Sequence, residues 1–180
     1  MLFVLIFFLL FMFFRTYKKN KQSSIKFNKL IASLKENKRL EIDKETITKI
    51  SKTNNISDEI IESTLIKLTN FETSNKFIKT YSLNSLSKEL KTNSTYLSKI
   101  INSTKGTNFS NYLNSLRIDY SIKKLQTDKL FRSYTIKAIS EEVGFNTSQS
   151  FTKAFYKKTG IYPSFFIKSL NENKNNNNRD

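Results

Sequence analysis

The chain contains one segment twice, and this internal repeat restricts its fold more than any other sequence feature. Residues 86–116 align with residues 139–170 at an offset of 53, which becomes 54 after a one-residue insertion. The matched positions pair Leu86 with Ile139, Leu90 with Val143, Asn93 with Asn146, Leu97 with Phe151, Lys99 with Lys153, Gly106 with Gly160, and Ser110 with Ser164. Similarity at a fixed offset indicates that one supersecondary unit is used twice.

Apolar residues at spacings of three and four recur through residues 81–170 and predict an all-α fold. Each copy is expected to form a short helix, a tight turn and a second helix, with the second helices at about residues 94–103 and 148–157. Ser87 and Ser140 occupy the fifth position of each motif, where the two helices approach closely and only a small side chain fits. This recurrence favours two helix-turn-helix units.

The two turns differ at one position. Gly144 supplies the positive φ that a sharp turn needs, whereas Lys91 stands at the equivalent place in the first copy. Asn93 or Ser94 is the expected N-cap of the first unit's second helix, and Thr147 is expected to cap the corresponding helix of the second unit.

Composition excludes most kinds of catalytic site. The chain has no cysteine and no histidine, which rules out zinc fingers, disulfide scaffolds, cysteine nucleophiles and histidine-based triads. Glu141 and Glu142 are adjacent and would point about 100° apart on a helix, so they do not form an acid–base pair. The three glycines form no phosphate-binding loop. We therefore predict that the chain is not an enzyme and has no catalytic residues, metal or cofactor.

Positive charge is concentrated on the repeated region. The formal net charge is +16, and residues 75–170 hold 16 Lys and Arg against 5 Asp and Glu. Such an excess is the electrostatic footprint of a polyanionic partner. A genome rich in A and T would also enrich lysine and asparagine, so charge alone leaves the partner open.

The N-terminal residues 1–14 are wholly apolar and are followed by Arg15, Lys18 and Lys19. Fourteen helical residues reach about 21 Å, short of the roughly 30 Å hydrocarbon core. The segment lacks the flanks of a signal peptide, and its basic C-terminal side predicts that the remainder lies in the cytoplasm. We expect either a short membrane anchor or, as the favoured interpretation, the end of a longer spanning helix belonging to a larger sensor.

Residues 15–74 are expected to form a basic juxtamembrane and helical linker. Ser57 is a candidate N-cap, and Ile56 is placed to pack against the first turn of the following helix. That helix could pack or dimerise; the favoured prediction is that it packs against the first helix-turn-helix unit through Phe71, Phe77 and Ile78. The Asn-rich tail, residues 171–180, has nothing to bury and is expected to be disordered.

Residues 75–170 are therefore assigned to one double helix-turn-helix domain, and residues 81–170 resemble the DNA-binding domain of the AraC/XylS family of bacterial transcription regulators. The resemblance rests on Ile139-Ser140-x-x-Val143-Gly144-Phe145, on Ser150-Phe151-Thr152-Lys153-Ala154-Phe155-Tyr156-Lys157-Lys158-Thr159-Gly160 with Pro163-Ser164, and on Gly106-x-x-Phe109-x-x-Tyr112-Leu113-x-x-Leu116-Arg117-Ile118. Lys91, Ser87 and Ser140 depart from the usual pattern. The N-terminal segment is similar to membrane-tethered sensor versions of the family.

The resemblance implies that a linking helix at about residues 110–126, roughly 25 Å long, holds two recognition helices. These helices would enter successive major grooves about 34 Å apart, so that one chain recognises a bipartite site. Lys99 and Lys153 could donate to guanine or to phosphate, and Gln149 could pair with adenine. The full set of candidate DNA contacts is Thr95, Ser98, Lys99, Asn102, Ser148, Gln149, Thr152, Lys153 and Lys157.

The expected partners are double-stranded DNA, a membrane through residues 1–14, an upstream sensor domain or partner, and RNA polymerase. The DNA-binding domain is placed in the cytoplasm, tethered to the inner membrane, and the oligomeric state is left open. The alternative is a basic helical module that binds a membrane surface without recognising DNA sequence. Residues 15–39 suit an anionic lipid surface, but lipid binding does not require a duplicated turn.

Overall fold

The computed structural model describes residues 2–35 and 56–177, and these fold into helices joined by turns. The elements in chain order are α1 (Leu2–Lys35), α2 (Asp58–Thr73), a 3₁₀ turn (Lys76–Ile78), α3 (Leu83–Glu89), α4 (Ser94–Lys105), α5 (Phe109–Thr127), α6 (Lys129–Arg132), α7 (Ile136–Glu142), α8 (Ser148–Thr159) and α9 (Pro163–Asn177). No strand occurs in these two ranges, which confirms the predicted all-α fold. Residues 36–55, the middle part of the linker predicted over residues 15–74, lie outside the described residues.

The chain divides into two compact units, residues 39–154 and residues 1–38 with 155–180. In the compact unit of residues 39–154, one apolar cluster joins α2 and the 3₁₀ turn to α3, α4 and the start of α5. Its buried members are Ile56, Ile61, Leu65, Leu68, Phe71, Phe77, Leu86, Leu90, Leu97, Ile100, Ile101, Tyr112 and Leu113. Phe71 and Phe77 are buried there and Ile78 packs against the cluster, which confirms that the helix before the repeat packs against the first helix-turn-helix unit.

Helix α2 begins at the predicted residue. Ser57 occupies the N-cap position with an extended backbone, although its side chain makes no capping hydrogen bond. Ile56 and Ile61 are both buried, in agreement with an apolar contact across the helix start. The helix ends at Thr73, and Asn75 adopts a left-handed φ of 54° that turns the chain into the 3₁₀ segment.

Helix α5 is the predicted linking helix. It has 19 residues, and at the standard rise it is about 28 Å long. Leu113 and Leu125 are buried, while Leu116 and Tyr120 are partly buried against the core cluster. The buried face also contains a guanidinium group, that of Arg117.

In the second compact unit, the apolar N-terminus and the basic residues that follow it belong to one helix, α1. Phe27 of α1 is buried and packs edge-on against Phe166 of α9, with ring centroids 5.4 Å apart. Phe166 packs in the same way against Phe155 of α8 at 5.5 Å. Across residues 2–35 and 56–177, no helix has both the length and the apolar character needed to cross a membrane.

The C-terminal segment differs from the expectation of disorder from residue 171 onward. Helix α9 continues to Asn177, and only residues 178–180 lie outside the description. Adding residues to an existing helix avoids the cost of nucleation, so a polar segment can extend a helix that it could not start.

Candidate nucleic-acid interface

The first helix-turn-helix unit turns through a hydrogen-bond pattern that ends many helices. The Thr92 N–H donates to the Ser87 carbonyl at 2.9 Å, and the Lys91 N–H donates to the Lys88 carbonyl at 3.1 Å. Lys91 has a φ of 54°, so a lysine occupies the left-handed position that usually favours glycine. These bonds satisfy carbonyls at the end of α3 that have no partner within the helix.

The second unit repeats this pattern at the equivalent residues. The Phe145 N–H donates to the Ser140 carbonyl at 2.8 Å, and the Gly144 N–H donates to the Glu141 carbonyl at 3.0 Å. Gly144 has a φ of 88°. The two copies therefore form the same turn, and the sequence repeat is a structural repeat.

The fifth position of each motif is closely packed, as predicted. Ser87 and Ser140 are both buried, and each hydroxyl is satisfied within its own helix. Ser87 donates to the Asn84 carbonyl at 3.0 Å, and Ser140 donates to the Lys137 carbonyl at 2.7 Å. Burial of a small hydroxyl is tolerated here because its hydrogen bond is made locally.

Side chains cap both α4 and α8, the predicted recognition helices. The Asn93 Oδ1 accepts the Tyr96 N–H at 2.7 Å, which identifies Asn93 rather than Ser94 as the cap of α4. In α8 the Thr147 Oγ1 accepts the Ser150 N–H at 3.1 Å, as predicted. A side-chain cap fixes where a recognition helix begins, and hence which residues stand on its first turns.

The recognition helices bury their apolar residues and leave the candidate contacts accessible. Leu97, Ile100 and Ile101 of α4 and Phe151 and Phe155 of α8 are buried. Among the candidates, Thr95, Asn102, Gln149, Lys153 and Lys157 are exposed, and Ser98, Lys99, Ser148 and Thr152 are half-buried. Because Phe151 and Phe155 lie in the core, their rings are not available for base stacking.

Arg117 joins two parts of unit 39–154 in a way that the sequence analysis did not anticipate. Its Nε donates to the Phe77 carbonyl at 2.8 Å and its Nη2 to the Lys79 carbonyl at 2.7 Å. The guanidinium also lies 5.7 Å from the centre of the Phe145 ring, and burial lowers the pKa of Arg117. The linking helix therefore contacts both the segment that precedes α3 and the turn of the second helix-turn-helix unit.

Gly144 lies directly against this arrangement. A Cβ at Gly144 would collide with the Ile78 carbonyl oxygen and would stand 3.0 Å from the Arg117 Nε. The glycine is thus required by close packing as well as by its positive φ. The only sequence signals were an arginine on an otherwise apolar helix face and a glycine in a turn.

Glu72 ties α2 to the end of α4 and to α5. Its Oε1 accepts the Tyr112 hydroxyl at 2.9 Å and pairs with the Lys105 Nζ at 2.8 Å. Burial, together with the nearby Glu72 carboxylate and its hydrogen bond, raises the pKa of the Tyr112 phenol. Lys105, which lies at the end of a recognition helix, is therefore engaged by a carboxylate of the preceding helix.

A second carboxylate, Glu89, joins the end of α3 to the segment before it. It pairs with the Lys76 Nζ at 2.9 Å and accepts the Tyr81 hydroxyl at 2.8 Å. These two hydrogen bonds hold the pKa of Glu89 below its usual range.

Over the part of the chain that the structure describes, His, Cys, Asp and Glu side chains nowhere form a group of three or more that could hold a metal ion.

Comparison with known proteins identifies a family model and two proteins that are similar in sequence to parts of this chain. Residues 86–169 match a family model described as a helix-turn-helix domain. The chain is 32% identical over 75 residues to the uncharacterized transcriptional regulatory protein YesN of Bacillus subtilis (strain 168), covering 41% of this chain and 20% of that protein. It is 33% identical over 91 residues to the Msm operon regulatory protein of Streptococcus mutans serotype c, covering 51% and 31%. The chain thus spans less than a third of either relative.

A solved structure has a similar fold. The C-terminal domain of AraT, a response regulator from Geobacillus stearothermophilus, superposes with a TM-score of 0.51 at 23% identity. The match covers 59% of this chain and 84% of that domain. At this level of identity the likeness concerns the fold.

Proposed function

We propose that the chain is a transcription regulator that binds double-stranded DNA, and that residues 86–169, which match a helix-turn-helix family model, form a DNA-binding domain of the AraC type. Both curated relatives are named as regulatory proteins, which supports this proposal. The observation that carries the proposal is the repeated turn. Each copy has the same hydrogen bonds, and each is followed by a capped helix whose candidate contact residues are not buried.

We propose further that one chain recognises a bipartite site. The linking helix of 19 residues is about 28 Å long, comparable to the roughly 34 Å between successive major grooves on one face of a duplex. Helices α4 and α8 would then each contact one half-site. This arrangement allows one chain to bind without a second copy.

The proposed base contacts come from the exposed faces of the two recognition helices. Gln149 lies on the first turn of α8, where its amide can pair with adenine, and Lys153 follows one turn later. Lys99 is the equivalent lysine of α4. Lysine lacks the two-pronged geometry of arginine, so phosphate contact is as good an assignment as guanine for both lysines. Lys157 is assigned to the DNA backbone.

Charge supports the same partner and predicts how binding depends on salt. Residues 75–170 contain 16 basic and 5 acidic side chains. Each lysine that neutralises a phosphate releases counterions, so affinity should fall steeply as salt is raised. A tenfold change in salt concentration should lower the association constant by about 0.9 decades for every phosphate contact.

The experiment that tests this function is selection of bound duplexes from a random pool by the full chain, followed by anisotropy titrations over a salt series. Enrichment of two half-sites about one helical turn apart supports the proposal. A double variant, Lys99→Ala with Lys153→Ala, should bind the selected site more weakly, whereas Lys129→Ala, an exposed lysine outside both recognition helices, is the matched control. Salt-sensitive binding without an enriched motif contradicts sequence-specific regulation.

We propose membrane attachment through α1 as a second candidate function. Seven apolar side chains of α1 are exposed, namely Phe7, Phe8, Leu10, Phe11, Met12, Phe13 and Phe14, and basic residues begin at Arg15. Flotation of the full chain with anionic and with neutral vesicles tests this, with a Phe11→Glu, Phe13→Glu variant as control. Co-flotation of the wild type alone supports attachment, and its failure to float removes this candidate. A regulator tethered in this way to the inner membrane would act from the cytoplasm, with an upstream sensor domain and RNA polymerase as further proposed partners.

A further inference from the structure

Helix α1 contacts other elements of its compact unit near its own C-terminal end. Phe27 is only 3% exposed, whereas Ile25, two residues earlier, is 61% exposed, and Tyr17 is 60% exposed. The Phe27 ring packs edge-on against Phe166, whose ring packs against Phe155. Phe155 lies in α8, the recognition helix of the second unit. Three aromatic rings therefore connect α1 to that helix.

A second contact lies beside the first. The Lys26 Nζ donates to the Gly160 carbonyl at 3.4 Å, and the methylene stem of Lys26 approaches within 3.2 Å of the place where a Gly160 Cβ would stand. Gly160 ends α8 with a φ of 73°. Gly106, the equivalent residue of the first unit, has a φ of 62° and nothing within 4 Å of its own Cβ position. The turn after the second recognition helix is covered by α1, and the matching turn of the first unit is open.

The region that α1 covers is internally well bonded. The Thr159 hydroxyl donates to the Phe155 carbonyl at 2.8 Å and accepts the Ile161 N–H at 3.2 Å. Thr159, Ile161 and Phe166 are all buried. A side chain that packs on Phe166 therefore stabilises the whole segment from Phe155 to Phe166.

We infer that Phe27 and Lys26 are positioning residues for the second recognition helix. By packing on Phe166 and on the Gly160 turn, α1 fixes the C-terminal half of α8 and so sets how that helix is presented to DNA. The inference rests on the proposed function, because it assumes that α8 contacts a half-site. The inference also predicts that the two half-sites respond differently to α1. A change in the position of α1 would alter the contacts of α8 with its half-site more than those of α4.

Hydrogen exchange of the full chain tests the contact without DNA. Phe27→Ala should speed exchange of residues 155–168 by about tenfold or more, because local opening there loses its cover. Exchange of residues 94–105 in α4 should be unchanged and serves as an internal control for folding. Tyr17→Ala removes an exposed aromatic ring from the same helix and should change neither segment, and Phe27→Leu should restore protection. Equal exchange of residues 155–168 in wild type and Phe27→Ala overturns the inference.

Binding to half-sites then separates positioning from general stability. Duplexes would be used with both half-sites intact, or with either one scrambled. Phe27→Ala should bind the intact site about tenfold more weakly, a change of about 1.4 kcal/mol, and should gain little from the second half-site. Equal losses at both half-sites overturn the positioning role. If the wild type recognises no sequence, the proposed function fails, while the exchange experiment still decides whether α1 is docked.

Discussion

The turns of the two helix-turn-helix units have the same hydrogen bonds but meet different surroundings. Lys91 and Gly144 occupy equivalent left-handed positions, with φ values of 54° and 88°. Lys91 is exposed and its side chain extends into solvent, whereas Gly144 lies against the Ile78 carbonyl and Arg117. The backbone therefore requires a positive φ in both turns, but only the second also excludes a side chain. A repeat can conserve a conformation while packing decides the residue.

The two units also differ in how their cores are completed. The first shares one buried cluster with α2 and the 3₁₀ turn, so it depends on residues that precede the repeat. At the second, Phe145 and Phe151 pack edge-on at 5.5 Å, and the turn rests on Arg117. Substitutions at matched positions should therefore have unequal effects, and these differences make the comparison testable.

The largest expected effect is at the buried anchor of each recognition helix. Phe151→Ala should lower the free energy of unfolding by about 3–5 kcal/mol, because it leaves a cavity in the core. Leu97→Ala, at the matched position, should cost about 2–5 kcal/mol. Thermal or denaturant unfolding measures both losses. Lys153→Ala, at an exposed position on α8, is the control and should change little. Unchanged melting of the Phe151 variant would contradict its burial.

The glycines provide the next test. Gly144→Ala combines left-handed strain with a collision against the Ile78 carbonyl, so we expect a loss of about 2–5 kcal/mol. Gly106→Ala has open space and only left-handed strain, which should cost about 1–2 kcal/mol. Denaturant titrations of the two variants compare them directly. Equal losses would show that packing adds nothing at Gly144.

Arg117 should follow in size. Arg117→Met leaves the Phe77 and Lys79 carbonyls without their donors, and the loss of bonds to a charged group should cost about 2–3 kcal/mol. Arg117→Lys keeps the charge but not the forked donor geometry, so it should recover only part of the stability. Calorimetry on the three proteins measures the difference. A fully stable methionine variant would show that the carbonyls find other donors.

Local features of both units were predictable from sequence because their causes are local. Asn93 and Thr147 cap helices through bonds to residues three positions away, and the left-handed position was identified from Gly144 alone. The packing of Phe71 and Phe77 followed from apolar spacing. The fold class was predicted for the same reason. The linking helix was implied by the family resemblance, with boundaries within a residue or two of α5.

The long-range contacts that distinguish the two helix-turn-helix units were not predictable from sequence. Arg117 bonds to a carbonyl 40 residues away, and no local pattern indicates which carbonyl a buried guanidinium will reach. The ion pair of Glu72 with Lys105, at 2.8 Å, joins two helices that are far apart in sequence. The ring contact of Phe27 with Phe166 joins opposite ends of the chain. The nine candidate DNA contacts stay predictions, since their accessibility permits binding without demonstrating it.

On binding, the lysines of the two recognition helices should give a smaller difference. Lys153→Ala should weaken DNA binding by about 1 kcal/mol and reduce the salt slope by about one, while the fold remains intact. Lys99 is half-buried where Lys153 is exposed, so Lys99→Ala should cost less affinity. Anisotropy titrations on the selected duplex measure both, with Lys129→Ala as the exposed control. Unchanged binding by a folded Lys153 variant would remove that residue from the interface.

The smallest effect is expected at Lys91, the left-handed residue in the turn of the first helix-turn-helix unit. Lys91→Gly removes the left-handed strain of a residue with a Cβ, worth about 1–2 kcal/mol, but adds backbone entropy to the unfolded chain, worth about 0.5–1 kcal/mol. The free energy of unfolding should therefore rise by about 1 kcal/mol or less. The reciprocal Gly144→Lys should be strongly destabilising, because its Cβ meets the Ile78 carbonyl. If Lys91→Gly instead lowers stability, the lysine side chain contributes a contact that offsets its backbone strain, and the two turns differ by more than packing around Gly144.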